Sequence, residues 1–325
     1  MVTAPGVLTM SGVRMLCAVT IIDRISDALT NGPADVVVEP PGSGTGFWAG
    51  GPSVVNSGGV FHLAYRLRRP VDQGRGYANV VARSSDGVRF ETLCTLHRDE
   101  LDCASLERPA LAQRPDGGWR IYVSLSSPQS KHWWVDAFDA DRPEDLAQGR
   151  RTTVWPGDKL EAVKDPVVLV DRDGGWHAWV CCHPLTEAGE EDRMTTRYAH
   201  SADGLTWTWG AVVMSPPPSG WDRRGRRVAA VVPRADGTVT GFYDGRADAA
   251  ENWFERTGAF HGDVIGGPLT AVAGQPAQSP HGRHTLRYAS VLDLGDGCGR
   301  AYFEAAAEDG SNEIRTQLIN LASAG

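Results

Sequence analysis

Gly51-Pro52-Ser53-Val54-Val55, Arg108-Pro109-Ala110-Leu111-Ala112 and Asp165-Pro166-Val167-Val168-Leu169 repeat one short pattern, a proline anchor leading into an apolar run. Successive anchor prolines stand 57 residues apart both times. The turns beyond them keep the same step, because Asp116-Gly117-Gly118-Trp119 and Asp173-Gly174-Gly175-Trp176 are also 57 apart. Weaker copies begin at Arg227-Val228-Ala229-Ala230-Val231 and Arg287-Tyr288-Ala289-Ser290-Val291. Periods of this size belong to solenoids, propellers and arrays, in which each unit buries its apolar face against the next.

Inside each copy the pattern is that of β-strands. The runs Val60–Tyr65, Trp119–Val123, Trp176–Val180, Val239–Tyr243 and Arg300–Glu304 are rich in β-branched and aromatic residues and lie between Gly- and Asp-rich turns. A third strand twice ends in a related turn, Ser84-Ser85-Asp86-Gly87 and Ser201-Ala202-Asp203-Gly204, followed by Phe90 and Trp207. Asp-Gly supplies the positive φ of a tight turn. Three strands and a shorter fourth make one propeller blade. The sequence therefore predicts an all-β, five-bladed β-propeller, a single domain over 1–325, with blades near 46–100, 101–157, 158–220, 221–280 and 281–325. The last copy ends after about three strands near Ile319. The N-terminal segment 1–40, through Ala34–Glu39, is expected to add the missing outer strand and close the ring. Helical signal is weak, and Asp248–Arg256 is its best place.

The chain has 325 residues, 41% of them hydrophobic, and a net charge of −8, which argues against disorder and against a nucleic-acid or membrane surface. Of 32 basic residues only Lys131, Lys159 and Lys164 are lysines, leaving 29 arginines, a skew expected of a GC-rich genome. The apolar run Met15–Ile22 is too short for a membrane span, and it lacks a clean cleavage site, so a cytoplasmic protein is expected. Six cysteines without a CxxC pair (Cys17, Cys94, Cys103, Cys181, Cys182 and Cys298) are expected to be free thiols.

In a propeller the first strand of every blade faces the central channel, so the anchor positions converge. The position before each anchor is Gly51, Arg108, Asp165, Arg227 and Arg287, and the one before that is Gly50, Glu107, Lys164, Arg226 and Leu286. Such charges need partners or a ligand, and coupled charges in a cleft shift pKa values usefully. His183, Asp244-Gly245-Arg246, Glu304 and Arg66, Arg68 and Arg69 fall at second-strand ends on the same mouth. Trp48 and the run Lys131-His132-Trp133-Trp134 add aromatic faces of the kind that suit a sugar. The alternative for the charges is a purely structural set of ion pairs, and for the tryptophans plain packing. No HxxxH or HExxH spacing, Walker loop or GxGxxG is present, so neither a metal nor a nucleotide cofactor is expected.

With these features the chain resembles the five-bladed β-propeller glycosidases, the superfamily of arabinanases, xylosidases, invertases and levansucrases. Lys164-Asp165-Pro166 resembles the Asp-Pro anchor that carries a carboxylate there, and Glu107-Arg108-Pro109 has a carboxylate in a comparable place. Tyr243–Arg246 with Asn252–Arg256 is similar to propeller proteins of actinobacteria with no assigned reaction. The chain departs from the superfamily where an aspartate is required at the first anchor, since Gly50-Gly51-Pro52 offers none. A second resemblance is to the sialidases, which use three arginines to grip a carboxylate, as Arg108, Arg227 and Arg287 would here; those propellers have six blades.

The resemblance implies an enzyme of glycoside hydrolase type acting on a sugar-like, polyhydroxylated and anionic small molecule, in specialised metabolism. Asp165 and Glu107 would be the acid/base pair, with Asp244 or Glu304 as the substitute carboxylate. Arg108, Lys164, Arg227, Arg287, His183, Glu304, Trp48, Lys131 and His132 would bind the substrate. Two alternatives stay open: a non-glycosidic cyclisation or elimination with Lys164 or His183 as base, and a non-catalytic carbohydrate-binding propeller.

Overall fold

The structure, a computed structural model, describes residues 25–128 and 130–321. The run Met15–Ile22 and Cys17 lie outside the described residues. After a short helical segment at 25–31, every regular element but four 3-10 turns is a strand. The first is β1 (Asp35–Val38). The first repeat copy forms β2 (Trp48–Ser57), β3 (Val60–Arg68), β4 (Gly76–Ser84) and β5 (Glu91–His97). The second forms β6 (Ser105–Leu106), β7 (Ala110–Gln113), β8 (Trp119–Ser126), β9 (Trp133–Ala140) and β10 (Arg150–Trp155). The third forms β11 (Glu161–Val170), β12 (Trp176–Pro184), β13 (Thr195–Ser201) and β14 (Thr208–Met214). The fourth forms β15 (Gly225–Pro233), β16 (Val239–Arg246), β17 (Arg256–Gly262) and β18 (Thr270–Ala271). The last forms β19 (Leu286–Gly295), β20 (Cys298–Ala306) and β21 (Asn312–Asn320).

Each copy is an up-and-down antiparallel meander, and the pairings fall into four sheets. The largest has eight strands, because Trp48 of β2 and Asn312 of β21 make one parallel pair that joins the first copy to the last. On the far side of β21, β1 pairs antiparallel, with Asp35 opposite Thr316. The expected helical stretch at Asp248–Arg256 is a single 3-10 turn, Ala249–Glu251, capped by the Asp248 side chain.

Local chemistry fixes the repeated turns. Asp86 Oδ1 accepts from the amides of Val88 and Arg89, and Ser84 Oγ accepts from Gly87, whose φ is 75°. Asp203 and Ser201 do the same for Leu205, Thr206 and Gly204, whose φ is 68°. Each turn is then gripped by a tyrosine of a neighbouring copy: Tyr122 Oη donates to the Gly204 carbonyl and Tyr302 Oη to that of Gly87, both at 2.7 Å. The joint between the second and third copies thus recurs between the last and the first.

Buried clusters lie between successive meanders rather than inside them. One gathers Tyr122, Trp155 and Trp176 with Trp207 and Trp209 packed beside them. Another sets Phe242 of the fourth copy against Phe303 of the last, with Ile25 and Leu29 of the helical segment covering them. At the innermost strands Arg108 Nη2 donates to the carbonyls of Pro52, Ala229 and Ala289, at 3.1, 2.8 and 3.3 Å. One guanidinium therefore ties the second copy to the first, fourth and last.

The pairing corrects the register of the two weak copies. Gly50 faces Arg66, Lys164 faces Cys181, Arg227 faces Asp244 and Arg287 faces Glu304, and the Glu107 amide donates to Ser124. Counted from the second strand, Arg227 and Arg287 occupy the place of Glu107 and Lys164, one residue earlier than the sequence comparison put them. Val228 and Tyr288 take the place of Asp165. The cause is the bulge that follows, which the first and third copies mark with proline and the last two do not. Gly51, Asp165 and Tyr288 share a positive φ of 62°, 50° and 53° at this bulge. Glycine adopts it freely, whereas aspartate and tyrosine are strained there and are held by surrounding bonds.

Candidate active-site cleft

The strand ends on one side of the bulges open into a cleft of about 330 Å³. First strands bring Trp48, Lys164, Arg227, Arg287 and Tyr288 to it, and Glu107 stands in the equivalent place on the second copy. Second strands bring Arg66, Arg68, Ser126, His183 and Arg246, and loops add Arg75, Lys131, Glu191, Asp192, Trp253 and Glu255. Among the lining residues eight are cationic (Arg66, Arg68, Arg75, Lys131, Lys164, Arg227, Arg246 and Arg287) and four are carboxylates (Glu107, Glu191, Asp192 and Glu255).

Beneath this surface the charges alternate in one connected chain. Glu107 pairs with Arg66, Arg66 with Glu304 at 3.6 Å, Glu304 with Arg287 at 2.5 Å, and Arg287 with Glu255 at 3.0 Å. Glu255 continues to Arg227 at 2.7 Å, and Arg227 reaches Asp244 at 2.9 Å and Asp165 at 3.2 Å. Lys164 Nζ lies 3.8 Å from Asp165 and 4.7 Å from the centre of the Trp133 ring. Tyr288 Oη donates to Asp165, and its ring lies 4.0 Å from the Arg227 guanidinium.

The predicted site residues separate into two groups. Glu107, Lys164, Arg227, Arg287, His183, Trp48 and Lys131 line the cleft. Asp165, Asp244, Glu304 and Arg108 are buried behind it at 0, 0, 0 and 2% exposure, with their partners in the protein. His132 lies in an adjoining depression with Lys131 and Lys159, stacked on Trp134. Glu255, Arg75, Glu191 and Asp192 carry no repeat signal, because they come from loops between strands. Arg68 is the most exceptional member. Its guanidinium lies 4.3 Å from the Trp48 ring and 4.7 Å from that of Trp253, is 4% exposed, and has no hydrogen-bond or ion-pair partner among the described residues.

Burial and neighbouring charge compete at every group. Burial would raise Glu107, but Arg66, Lys164, Arg68 and Arg75 outweigh it and hold the carboxyl at about 2. Glu255 is likewise buried, and Arg227, Arg246 and Arg287 hold it well below the usual carboxylate range. Asp244 goes the other way, raised by burial beyond what Arg227 recovers. His183 is pushed well below an ordinary histidine by burial and then by Lys164, Arg246 and Arg227, so the ring is neutral. Burial lowers Arg68 to about 10, which still leaves it charged at neutral pH. No group of three or more His, Cys, Asp or Glu side chains placed to hold a metal ion occurs among the described residues, nor any helix long and apolar enough to cross a membrane.

No protein-family model matches the chain, and no curated protein sequence does. Solved structures do match. A thermostable family-43 glycoside hydrolase aligns over 87% of this chain and 91% of its own, at 14% identity and a TM-score of 0.64. The chain has the β-propeller fold of those hydrolases. A GH43_1 enzyme from Xanthomonas citri, solved with xylotriose, covers 93% of this chain and 92% of its own, at 15% identity and a TM-score of 0.62. An α-L-arabinofuranosidase from Lactobacillus brevis covers 83% and 90%, at 15% identity and a TM-score of 0.61. At these identities the likeness is one of fold.

The electrostatics set an acid limit. Glu107 falls from an ordinary 4.5 to about 2 on folding, so the unfolded chain takes up its proton first. Its contribution to stability is complete above pH 4.5 and is lost as the pH falls towards about 2. Denaturant midpoints measured from neutral pH downwards are expected to hold steady and then to drop across that window. A flat profile through it would show that Glu107 is not held by its arginines.

Proposed function

We propose that the chain binds an anionic, polyhydroxylated small molecule in this cleft, on a five-bladed propeller in which the repeat copies are the blades and β1 completes the last. The Tyr302–Gly87 joint, the counterpart of Tyr122–Gly204, supports a ring in which the last blade meets the first. Arg68 carries the functional reading. Glu107 acts on Arg68 only beyond ion-pair distance, and a buried cation without a hydrogen-bonded anion is costly, a cost that a bound carboxylate or phosphate would recover through charge-assisted bonds. The excess of cations over carboxylates in the cleft of a chain with net charge −8 points the same way. Trp133 and Trp253, both half-buried at the cleft, bring aromatic rings to a sugar.

Hydrolysis by a carboxylate pair fits this cleft poorly. It needs one carboxyl able to donate a proton across the bond from a second. Glu107 and Glu255 are both kept ionised by arginines, while Asp165 and Asp244 sit behind the surface without access to a ligand. Of the other two carboxylates at the cleft, Asp192 pairs with Arg224 and Glu191 accepts from the Gly189 amide, and the first-anchor position Gly51 supplies none.

Isothermal titration calorimetry tests the reading, with D-galacturonate and D-glucuronate set against galactose and glucose. The uronates are expected to bind and the neutral sugars to bind at least about tenfold more weakly. Arg68→Gln is expected to cost the uronates about 1.5–3 kcal/mol, the range for a hydrogen bond to a charged group, or about ten- to a hundredfold in affinity. Equal binding of neutral sugars, or unchanged uronate affinity in the variant, would sink it.

A further inference from the structure

We infer that the cleft removes the proton from the carbon next to the ligand's carboxylate, with His183 Nε2 as the base, and so eliminates the substituent on the following carbon of a uronide. The inference rests on the reading that the ligand is an anionic sugar, and adds the reaction to it.

The imidazole is built for this. Its Nδ1 lies 2.7 Å from the Glu191 carbonyl oxygen, which can only accept, so Nδ1 carries the proton and Nε2 the lone pair. Among the described residues the hydrogen-bond partner of Nε2 is the Cys181 thiol at 3.3 Å. Burial raises that thiol to about 12, so it remains S–H, a weak donor that a substrate can displace. His183 therefore offers an unprotonated nitrogen to a cleft lined by eight cationic side chains.

The cations around it match the charge that the step creates. Lys164, Arg246 and Arg227 are the charges that keep the ring neutral. When a proton leaves the carbon beside a carboxylate, a second negative charge spreads onto the carboxylate oxygens. Lysine and arginine side chains fixed around them stabilise that charge where it develops. Glu107 and Glu255 are engaged by arginines, Glu107 by Arg66 and Glu255 by Arg227 and Arg287, whereas the lone pair of Nε2 meets only a thiol.

The step balances without a further reactant. In a 4-linked uronide the C5–H bond breaks and its proton goes to Nε2. The bonding pair forms the C4=C5 double bond as the C4–O bond breaks. The departing oxygen takes a proton from Lys164 Nζ, which is recharged from water as His183 releases its own. The products are an unsaturated uronate and a free hydroxyl.

Two probes test it, D-galacturonate in heavy water and tri-galacturonate in ordinary buffer. The parent protein is expected to exchange deuterium into C5 of the monomer and to release an unsaturated, ultraviolet-absorbing product from the trimer. His183→Ala and His183→Gln are expected to lower both rates at least about a hundredfold, the typical contribution of a positioned base. Both variants should melt within a few degrees of the parent, which reports that they fold. Exchange that survives both substitutions, binding without exchange in the parent, or saturated sugar as the product would overturn the inference and leave the binding reading standing. If no uronate binds the parent, that reading falls and takes this inference with it.

Discussion

Arg227→Met is expected to lower the unfolding free energy by about 3–5 kcal/mol, the cost of leaving buried charges without their partner. Arg227 is 3% exposed and touches Glu255, Asp244 and Asp165, three carboxylates that are themselves fully buried. It is the one cation that joins the third copy, through Asp165, to the loop that carries Glu255. Methionine fills much of the volume and supplies apolar contact to Tyr288, so the loss measured is electrostatic rather than a cavity. Glu255 keeps Arg246 and Arg287, and Asp165 keeps Lys164, the Arg108 amide and the Tyr288 hydroxyl, so the deficit concentrates on Asp244, which keeps the Tyr288 amide and the Thr257 hydroxyl but no cation within ion-pair distance. Adding Asp244→Asn should then recover part of the loss, because the carboxylate whose one ion pair was Arg227 is neutralised. Urea denaturation of the single and double variants gives the answer. A single variant within about 1 kcal/mol of the parent, the range of an exposed pair, would show the ion-pair chain to be energetically idle.

Placing an aspartate at Gly50, beside the first-anchor position Gly51, is expected to destroy the fold rather than create a hydrolase. A Cβ placed on Gly50 would lie 1.6 Å from Glu304 Oε2 and 2.4 Å from its Cδ. Glu304, reaching in from the last copy, therefore fills the space that a first-copy side chain would use, and it is fixed there by Arg287 and Arg66. Gly50→Asp would have to displace that carboxylate and place a second one beside it, adding overpacking to like-charge repulsion. The variant is expected to be insoluble or to melt tens of degrees lower. Gly50→Asp combined with Glu304→Ala should regain folding, since the substitution vacates the volume and removes the competing charge. Thermal melts of the two proteins decide it. A stable Gly50→Asp single variant would mean that Glu304 moves aside readily.

The sequence carried the architecture well because the repeat is written in residues that act locally. Asp86 and Asp203 tie their own turns, Gly87 and Gly204 take the positive φ, and aromatic runs follow at fixed distances. It also pointed to Glu107, Lys164, His183 and Trp48, which do meet in one cleft. It misplaced Arg227 and Arg287 by one position, because their copies lack the proline that marks the bulge. It also cast Asp165 and Asp244 as ligand-facing groups, and both lie behind the surface. At the bulge one residue decides whether a side chain enters the cleft or the interior, and no periodic pattern encodes that choice.

What the sequence by itself determined was the unit: a β-meander of about sixty residues, repeated, with charged first-strand positions that had to meet something. Only the tertiary structure decided what they meet. Five separated stretches of chain bring Glu107, Arg66, Glu304, Arg287, Glu255, Arg227 and Asp165 into one alternating series. That packing buries Asp165 and Glu304 behind the cleft, leaves His183 neutral, and leaves Arg68 without an ion pair between two tryptophans. The reason is physical: turns and strands follow from near neighbours, whereas burial and charge balance are set by whatever else arrives within a few ångströms.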